Sequence, residues 1–287
     1  MNYYILIISI GISLLACQAA VDNGEASNEQ IVQDTKDTIA KDTIKPQQKD
    51  TLPKGIQQLL KAYPQQLKKA TPNSIIWADG TEMFYDDRIK NKSFRQLLDE
   101  PDLQDQLENM PYNRGKMPQS PARNDDPGRI RYEPFFLKMY GESKDAVRKN
   151  LVEVDWLPQS IGQKLLVTTI NEVDKKVIAL SAELEKHPEL HKYLTKPGGT
   201  FNWRKIAGTD RMSMHSFGMT IDVNVGYSDY WRWHIKDGDT EGTKVIEYRN
   251  RIPIELVEIF EKYGFIWGGK WYHYDSMHFE YRPELFQ

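Results

Sequence analysis

Residues 213–225, SMHSFGMTIDVNV, and the later stretch 271–281, WYHYDSMHFEY, decide what kind of fold this sequence makes. Both are short and rich in β-branched or aromatic side chains, as half-buried strands are. In the first, Gly218 lets the backbone turn sharply before Met219 to Val225 continues as a strand. Phe201-Asn-Trp-Arg204 reads as another short strand, and the paired glycines Gly198-Gly199 and Gly268-Gly269 read as turns between strands. Helical spacing lies to either side. Ile161, Leu165, Ile170, Val173, Val177, Leu180 and Leu184 predict one long helix with a buried face, ended by Pro188. Pro253 opens a second helix with Ile254, Val257 and Phe260 on one side and Gly264 as its cap. Helices beside short antiparallel strands predict an α+β domain, a small antiparallel sheet flanked by helices.

This domain is expected to occupy residues 159–287. Residues 56–158 are read as an irregular extension packed on it, with a short hairpin where Ser74 to Trp77 and Phe84-Tyr85 flank the turn Asp79-Gly80, and a Pro- and Gly-rich loop at 111–128. Residues 18–55 hold no aromatic residue, and Lys-Asp-Thr recurs at 36–38, 41–43 and 49–51, which is the composition of a disordered polar tether. Residues 1–17 begin with MNYYILIISIGISLLA, an apolar run shorter than the ~20 residues of a membrane span, and read as a secretory signal although no Lys or Arg precedes the run. Leu14-Leu-Ala-Cys17 resembles the bacterial lipobox, which implies that Cys17 is lipidated and that the protein is exported and held in the cell envelope. Gln18 after Cys17 points to the outer membrane, facing the periplasm.

With 287 residues, of which 39% are hydrophobic and 28% charged, the chain is long enough for one sizeable domain. A net charge of −3 supplies no basic stripe for phosphates, so a nucleic-acid partner is not expected, and the chain is expected to act as a monomer. Cys17 is the only cysteine. No disulfide framework can form within one chain, and any zinc site must be built from His and carboxylate ligands.

Three of the six histidines fall in the two strand-like stretches: His215 in the first, His273 and His278 in the second. A catalytic zinc takes three protein ligands from neutral imidazoles and a carboxylate, with a fourth position open to water, and His215, Asp222 and His278 supply such a set. Asp275, three residues before His278, could sit beside that water without binding the metal. Without the second cluster, a loop histidine and a turn aspartate would be the better explanation of His215 and Asp222.

The two clusters together resemble the zinc D-alanyl-D-alanine peptidases and L-alanyl-D-glutamate endopeptidases of bacterial cell walls, whose VanY- and VanX-like members share Ser-x-His-x-x-Gly-x-Ala-x-Asp and, later, Glu or Asp-x-x-His. Ser213, His215, Gly218 and Asp222 match the first element, with Thr220 in place of the usual Ala, and Asp275 and His278 match the second. The resemblance covers roughly residues 195–282. It implies a hedgehog-like core, one Zn2+ on His215, Asp222 and His278, Asp275 as general base, and a peptidoglycan stem peptide or muropeptide as substrate. It also suggests Arg204, after the aromatic Trp203, as the cation that stabilises the oxyanion. Ser213 and His273 are candidate substrate-binding residues, and Glu280 either orients a metal ligand or pairs with Arg282. Trp267 and Trp271 either line the cleft or belong to the core. The alternative is a metal-containing cell-wall binding module of the same fold without catalysis.

Overall fold

The computed structural model describes residues 51–117, 119–235 and 245–286. The signal segment, the lipobox with Cys17 and nearly all of the tether lie outside the described residues. Among those that are described, no helix is long and apolar enough to cross a membrane.

The helices are α1 (Lys54–Ala62), α2 (Phe94–Asp99), α3 (Leu103–Glu108), α4 (Glu133–Tyr140), α5 (Lys144–Arg148), α6 (Val173–Leu184), α7 (His191–Leu194) and α8 (Ile254–Lys262). The strands are β1 (Leu67–Thr71), β2 (Ser74–Trp77), β3 (Glu82–Phe84), β4 (Leu151–Trp156), β5 (Gln163–Thr168), β6 (Pro197–Gly199), β7 (Thr220–Asn224), β8 (Phe265–Trp267) and β9 (His278–Tyr281). They form three antiparallel sheets, ordered β1-β2-β3, β4-β5 and β6-β7-β9-β8. The α+β expectation holds. The sheet that carries the site is small and antiparallel, with α8 against its apolar face, where Phe260 stacks on Phe279 at 3.9 Å between ring centroids.

Residues 56–158 are not irregular. Their helices run only five to nine residues, too few turns to leave a clear apolar stripe in the sequence. Local capping starts three of them: Ser93 and Asp102 form reciprocal boxes with Gln96 and Asp105, and Ser143 accepts from the Ala146 amide. The hairpin about Asp79-Gly80 is present as β2 and β3, and no helix or strand occupies the described part of 111–128.

The single long helix expected over 161–184 divides in two. Helix α6 keeps Val173, Val177, Leu180 and Leu184 buried on one face, but residues 163–168 pair with β4 from Leu151↔Thr168 to Trp156↔Gln163. There Leu165 and Val167 point inward while Leu166 stays exposed, an alternation of two that a three-to-four spacing can imitate when only two positions test it. Helix α8 and Gly264, whose φ of +91° ends it, are as expected. Phe201 to Arg204 is no strand. It lies extended beside the 213–216 turn, with the Asn202 amide donating to the His215 carbonyl and the Ser213 amide to the Arg204 carbonyl. Gly198-Gly199, read as a turn, belongs to edge strand β6, and in 271–281 only the last four residues form a strand.

The described residues form one compact unit. A continuous core runs through it from Ile56 on α1 to Leu285 near the C-terminus. The β4-β5 hairpin spans the 158/159 position at which the extension was expected to end.

Candidate metal centre

His215 stands on a short 3-10 turn, Met214–Phe217, that ends at Gly218 with φ of +66°. A side chain on Gly218 would meet Leu151 Cδ2 at 2.5 Å and the Thr168 amide at 3.3 Å, so both its conformation and its neighbours require glycine. The turn returns the chain as β7, which pairs with β9 in the register Asp222↔His278 and Thr220↔Glu280. Alternation along strands places these four residues on one face of the sheet, while Ile221 and Phe279 fill the other.

The inner pair meets His215. The ligand atoms of His215, Asp222 and His278 all lie within 4.8 Å of one another. Asp222 divides its carboxylate between them, with Oδ2 3.1 Å from His215 Nε2 and Oδ1 3.1 Å from His278 Nδ1. The outer pair fixes the rings. Thr220 Oγ1 donates to the Thr200 carbonyl at 3.1 Å, and His215 Nδ1 lies 2.9 Å from that hydroxyl and 3.0 Å from that carbonyl. His215 Nδ1 therefore carries the proton, and Nε2 presents its lone pair toward Asp222. On the other side, His278 Nε2 donates to Glu280 Oε2 at 3.0 Å, leaving Nδ1 for the centre. Both imidazoles thus have one nitrogen held from behind and one directed at the same point, the arrangement of metal-ligating histidines.

Glu280 is fully buried, and Arg131 (2.7 Å) and Arg282 (2.8 Å) flank it. Burial works against its charge, but Arg131, His278 and Arg282 hold its carboxyl far below the usual range. The polar ladder continues with the ion pair of Arg282 Nε and Glu284 Oε1 (2.5 Å), and the Tyr63 hydroxyl donates to Glu284 Oε2 (2.5 Å). Burial likewise opposes the charge on Asp222, yet His215 and His278 keep it well below the usual carboxylate range. Burial pulls the His278 imidazole down, but the carboxylates of Asp222 and Glu280 push it up to about 10.

Asp275 lies in the same cleft. Its amide donates to the Gly268 carbonyl at 3.0 Å, and its carbonyl accepts from the His278 amide at 3.2 Å. Its Oδ1 is shielded from solvent and has no hydrogen-bond partner among the described residues. Burial, then the charge of Asp222, pushes its carboxyl up to about 6. A buried carboxylate oxygen without a donor is costly, and one beside two imidazoles and an aspartate fits a site that takes a cation and a water.

A cavity of about 360 Å³ contains this centre, and the seven residues expected to bind metal, catalyse or bind substrate all line it: Arg204, Ser213, His215, Asp222, His273, Asp275 and His278. Arg204 is at the rim with its guanidinium against the Lys205 carbonyl (3.4 Å). Ser213 fixes the turn through its main chain, donating to the Arg204 carbonyl and accepting from the Ser216 amide. His273 is a wall residue. Its Nδ1 lies 2.6 Å from Asp126 Oδ2, and Trp231 packs edge-on against its ring at 4.8 Å. Trp271 lines the cleft beneath Arg129 and Arg131, while Trp267 is core. Sequence reading missed Asp126, Arg129, Arg131, Tyr230 and Trp231. The first three come from a loop some 150 residues before their partners, with no spacing to reveal them.

Residues 207–281 match the family model of D-alanyl-D-alanine carboxypeptidases, the family that the two motifs resemble. The matched span holds His215, Asp222, Asp275 and His278, and supports a peptidase. No curated protein and no solved structure matches the chain.

Proposed function

We propose that this protein is a zinc-dependent peptidase of the cell envelope that hydrolyses peptide bonds in peptidoglycan stem peptides, exported and anchored through a lipidated Cys17. The observation that carries this reading is the pair of imidazoles, each held from behind and turned onto Asp222, with Asp275 beside them, whose buried Oδ1 has no hydrogen-bond partner among the described residues. His215 Nε2, His278 Nδ1 and Asp222 would hold the ion, a two-histidine and carboxylate set suited to zinc. Bound there, zinc supplies Lewis acidity, which makes water acidic near neutral pH and polarises a carbonyl. Asp275 takes the proton of the attacking water and returns it to the leaving amine, for which a carboxyl raised toward neutrality is suited. Thr220 and Glu280 hold the two imidazoles in their tautomers. Arg204, at the rim, supplies a cation for the oxyanion.

The test is zinc analysis of the purified protein, followed by incubation with muropeptides and mass spectrometry of the products. Release of D-alanine or an internal cut supports the reading and distinguishes carboxypeptidase from endopeptidase. Zinc without any cleavage would replace it with a non-catalytic binding module.

A further inference from the structure

Beside the metal cleft lies a larger cavity of about 720 Å³, and Arg129, Arg131, Ile206 and Met214 belong to the walls of both. The two hollows adjoin across that shared wall, so a peptide with a bond at the metal centre has somewhere to place its neighbouring residues. Part of the larger cavity is apolar, including Phe136, Phe217 and Met212, and part is cationic, with four arginines. Three of the four are committed. Arg129 pairs with Asp126 at 2.9 Å, Arg131 pairs with Glu280 at 2.7 Å, and Arg95 pairs with Asp99.

Arg211 is different. Its Nε is buried without a hydrogen bond, and its one ionic contact among the described residues is Asp99 Oδ1 at 3.4 Å, an acid it shares with Arg95. The other acids of the wall do not serve it. Glu133 accepts the Met212 amide at 2.7 Å, Asp210 is exposed and pairs with Lys205 at 2.8 Å, and Glu100 faces solvent. Burial and then the charge of Arg129 lower the guanidinium to about 10, ahead of the opposing pull of Asp99. A partly desolvated guanidinium with open donors favours a carboxylate, which it can take in two parallel hydrogen bonds.

We infer that Arg211 forms a subsite for a carboxylate of the peptide substrate, so that the protein reads an anionic group a short distance from the bond to be cut. This rests on the peptidase reading above. The carboxylate has two possible sources in a stem peptide, an acidic residue within the chain and the free C-terminus.

The experiment is calorimetric binding of L-alanyl-γ-D-glutamyl-L-lysyl-D-alanyl-D-alanine to zinc-loaded D275A protein, which removes turnover. The peptide is used with both carboxylates free, with the glutamyl carboxylate amidated, and with the C-terminus amidated. One of the two amidations should weaken binding on the order of tenfold, the loss of a charge-assisted pair, and which one does so identifies the source. Adding R211Q should weaken the free peptide by a similar factor and bring that ratio near one. Adding R211K, which keeps the charge, should retain part of the ratio and guard against a folding artefact. D99N, which releases the guanidinium, should tighten the free peptide. Absence of binding, indifference to both amidations, or a ratio that survives R211Q overturns the subsite. Turnover by the wild-type protein is scored separately: cleavage without carboxylate preference sinks the subsite alone, and preference without cleavage sinks the peptidase reading alone.

Discussion

Asp275 carries the sharpest consequences of any single residue. Its Oδ1 has no donor among the described residues, and its carboxyl is raised to about 6 by burial and by Asp222. D275A should keep zinc, since the residue is not among the three ligands, yet lose turnover by ~10²–10⁴-fold, the usual worth of a positioned base. Atomic absorption and muropeptide cleavage measure both, and turnover at the wild-type rate would remove Asp275 from the mechanism. The base acts deprotonated, so cleavage should fall as pH drops through about 6; a bound cation favours the charged form and moves this limb lower. For stability the sign reverses. A carboxyl raised on folding favours the native state at low pH and loses that contribution as pH rises through about 6, so metal-free D275N should be more stable than wild type at pH 7, by about 1–3 kcal/mol in denaturant unfolding. The residues behind the rings can be ranked too. E280Q should cost zinc affinity about 10–100-fold in chelator competition, and T220A less, because Nδ1 of His215 still has the Thr200 carbonyl. His215, Asp222, Asp275 and His278 were legible in the sequence because they fall in two short stretches, 213–225 and 271–281. Thr220 looked like a mild departure from a motif, and its role depends on a carbonyl twenty residues away that no pattern marks.

Among elements, the turn at Gly218 does most to place the site. It must reverse the chain with φ of +66° while passing Leu151 and Thr168 of the β4-β5 hairpin. G218A should therefore cost more than the ~1 kcal/mol of a left-handed alanine, about 2–4 kcal/mol with the clash, and lower zinc affinity because His215 rides on the same turn. Differential scanning calorimetry and zinc titration test the pair, and an unshifted melting point would mean that the hairpin yields easily. Sequence legibility followed element length and partner distance. Helix α8 was plain, since Pro253, a single apolar face and Gly264 are all local signals. Residues 161–168 misled because their pairing with β4 is a tertiary fact. The caps at Ser93, Asp102 and Ser143 were readable in principle, but each starts only one or two turns of helix.

For the whole molecule, the metal centre and the residues before it share one interior. Tyr63 and Phe135 meet at 5.7 Å and Phe136 and Phe217 at 6.0 Å, while Tyr112 donates to Glu261 at 2.6 Å. A fragment of residues 159–287 loses β4, the partner of β5, and strips Arg131 from the buried Glu280. Glu280 keeps Arg282 and His278, but removing one partner of a buried ion pair costs ~3–5 kcal/mol, enough with the lost core to prevent folding. Circular dichroism and zinc titration should show an unfolded fragment with no tight site; a structured, zinc-binding fragment would contradict this. The pairing of β7 with β9 bears on refolding as well. Because all four polar residues share one side of the sheet, sliding either strand by a single step would send that strand's pair under α8 and bring Ile221 or Phe279 into the cleft. A mis-zipped molecule could stay compact and pass a gel filtration column, yet it would have nothing with which to grip an ion. Zinc titration of a refolded batch therefore counts the molecules whose strands have closed correctly.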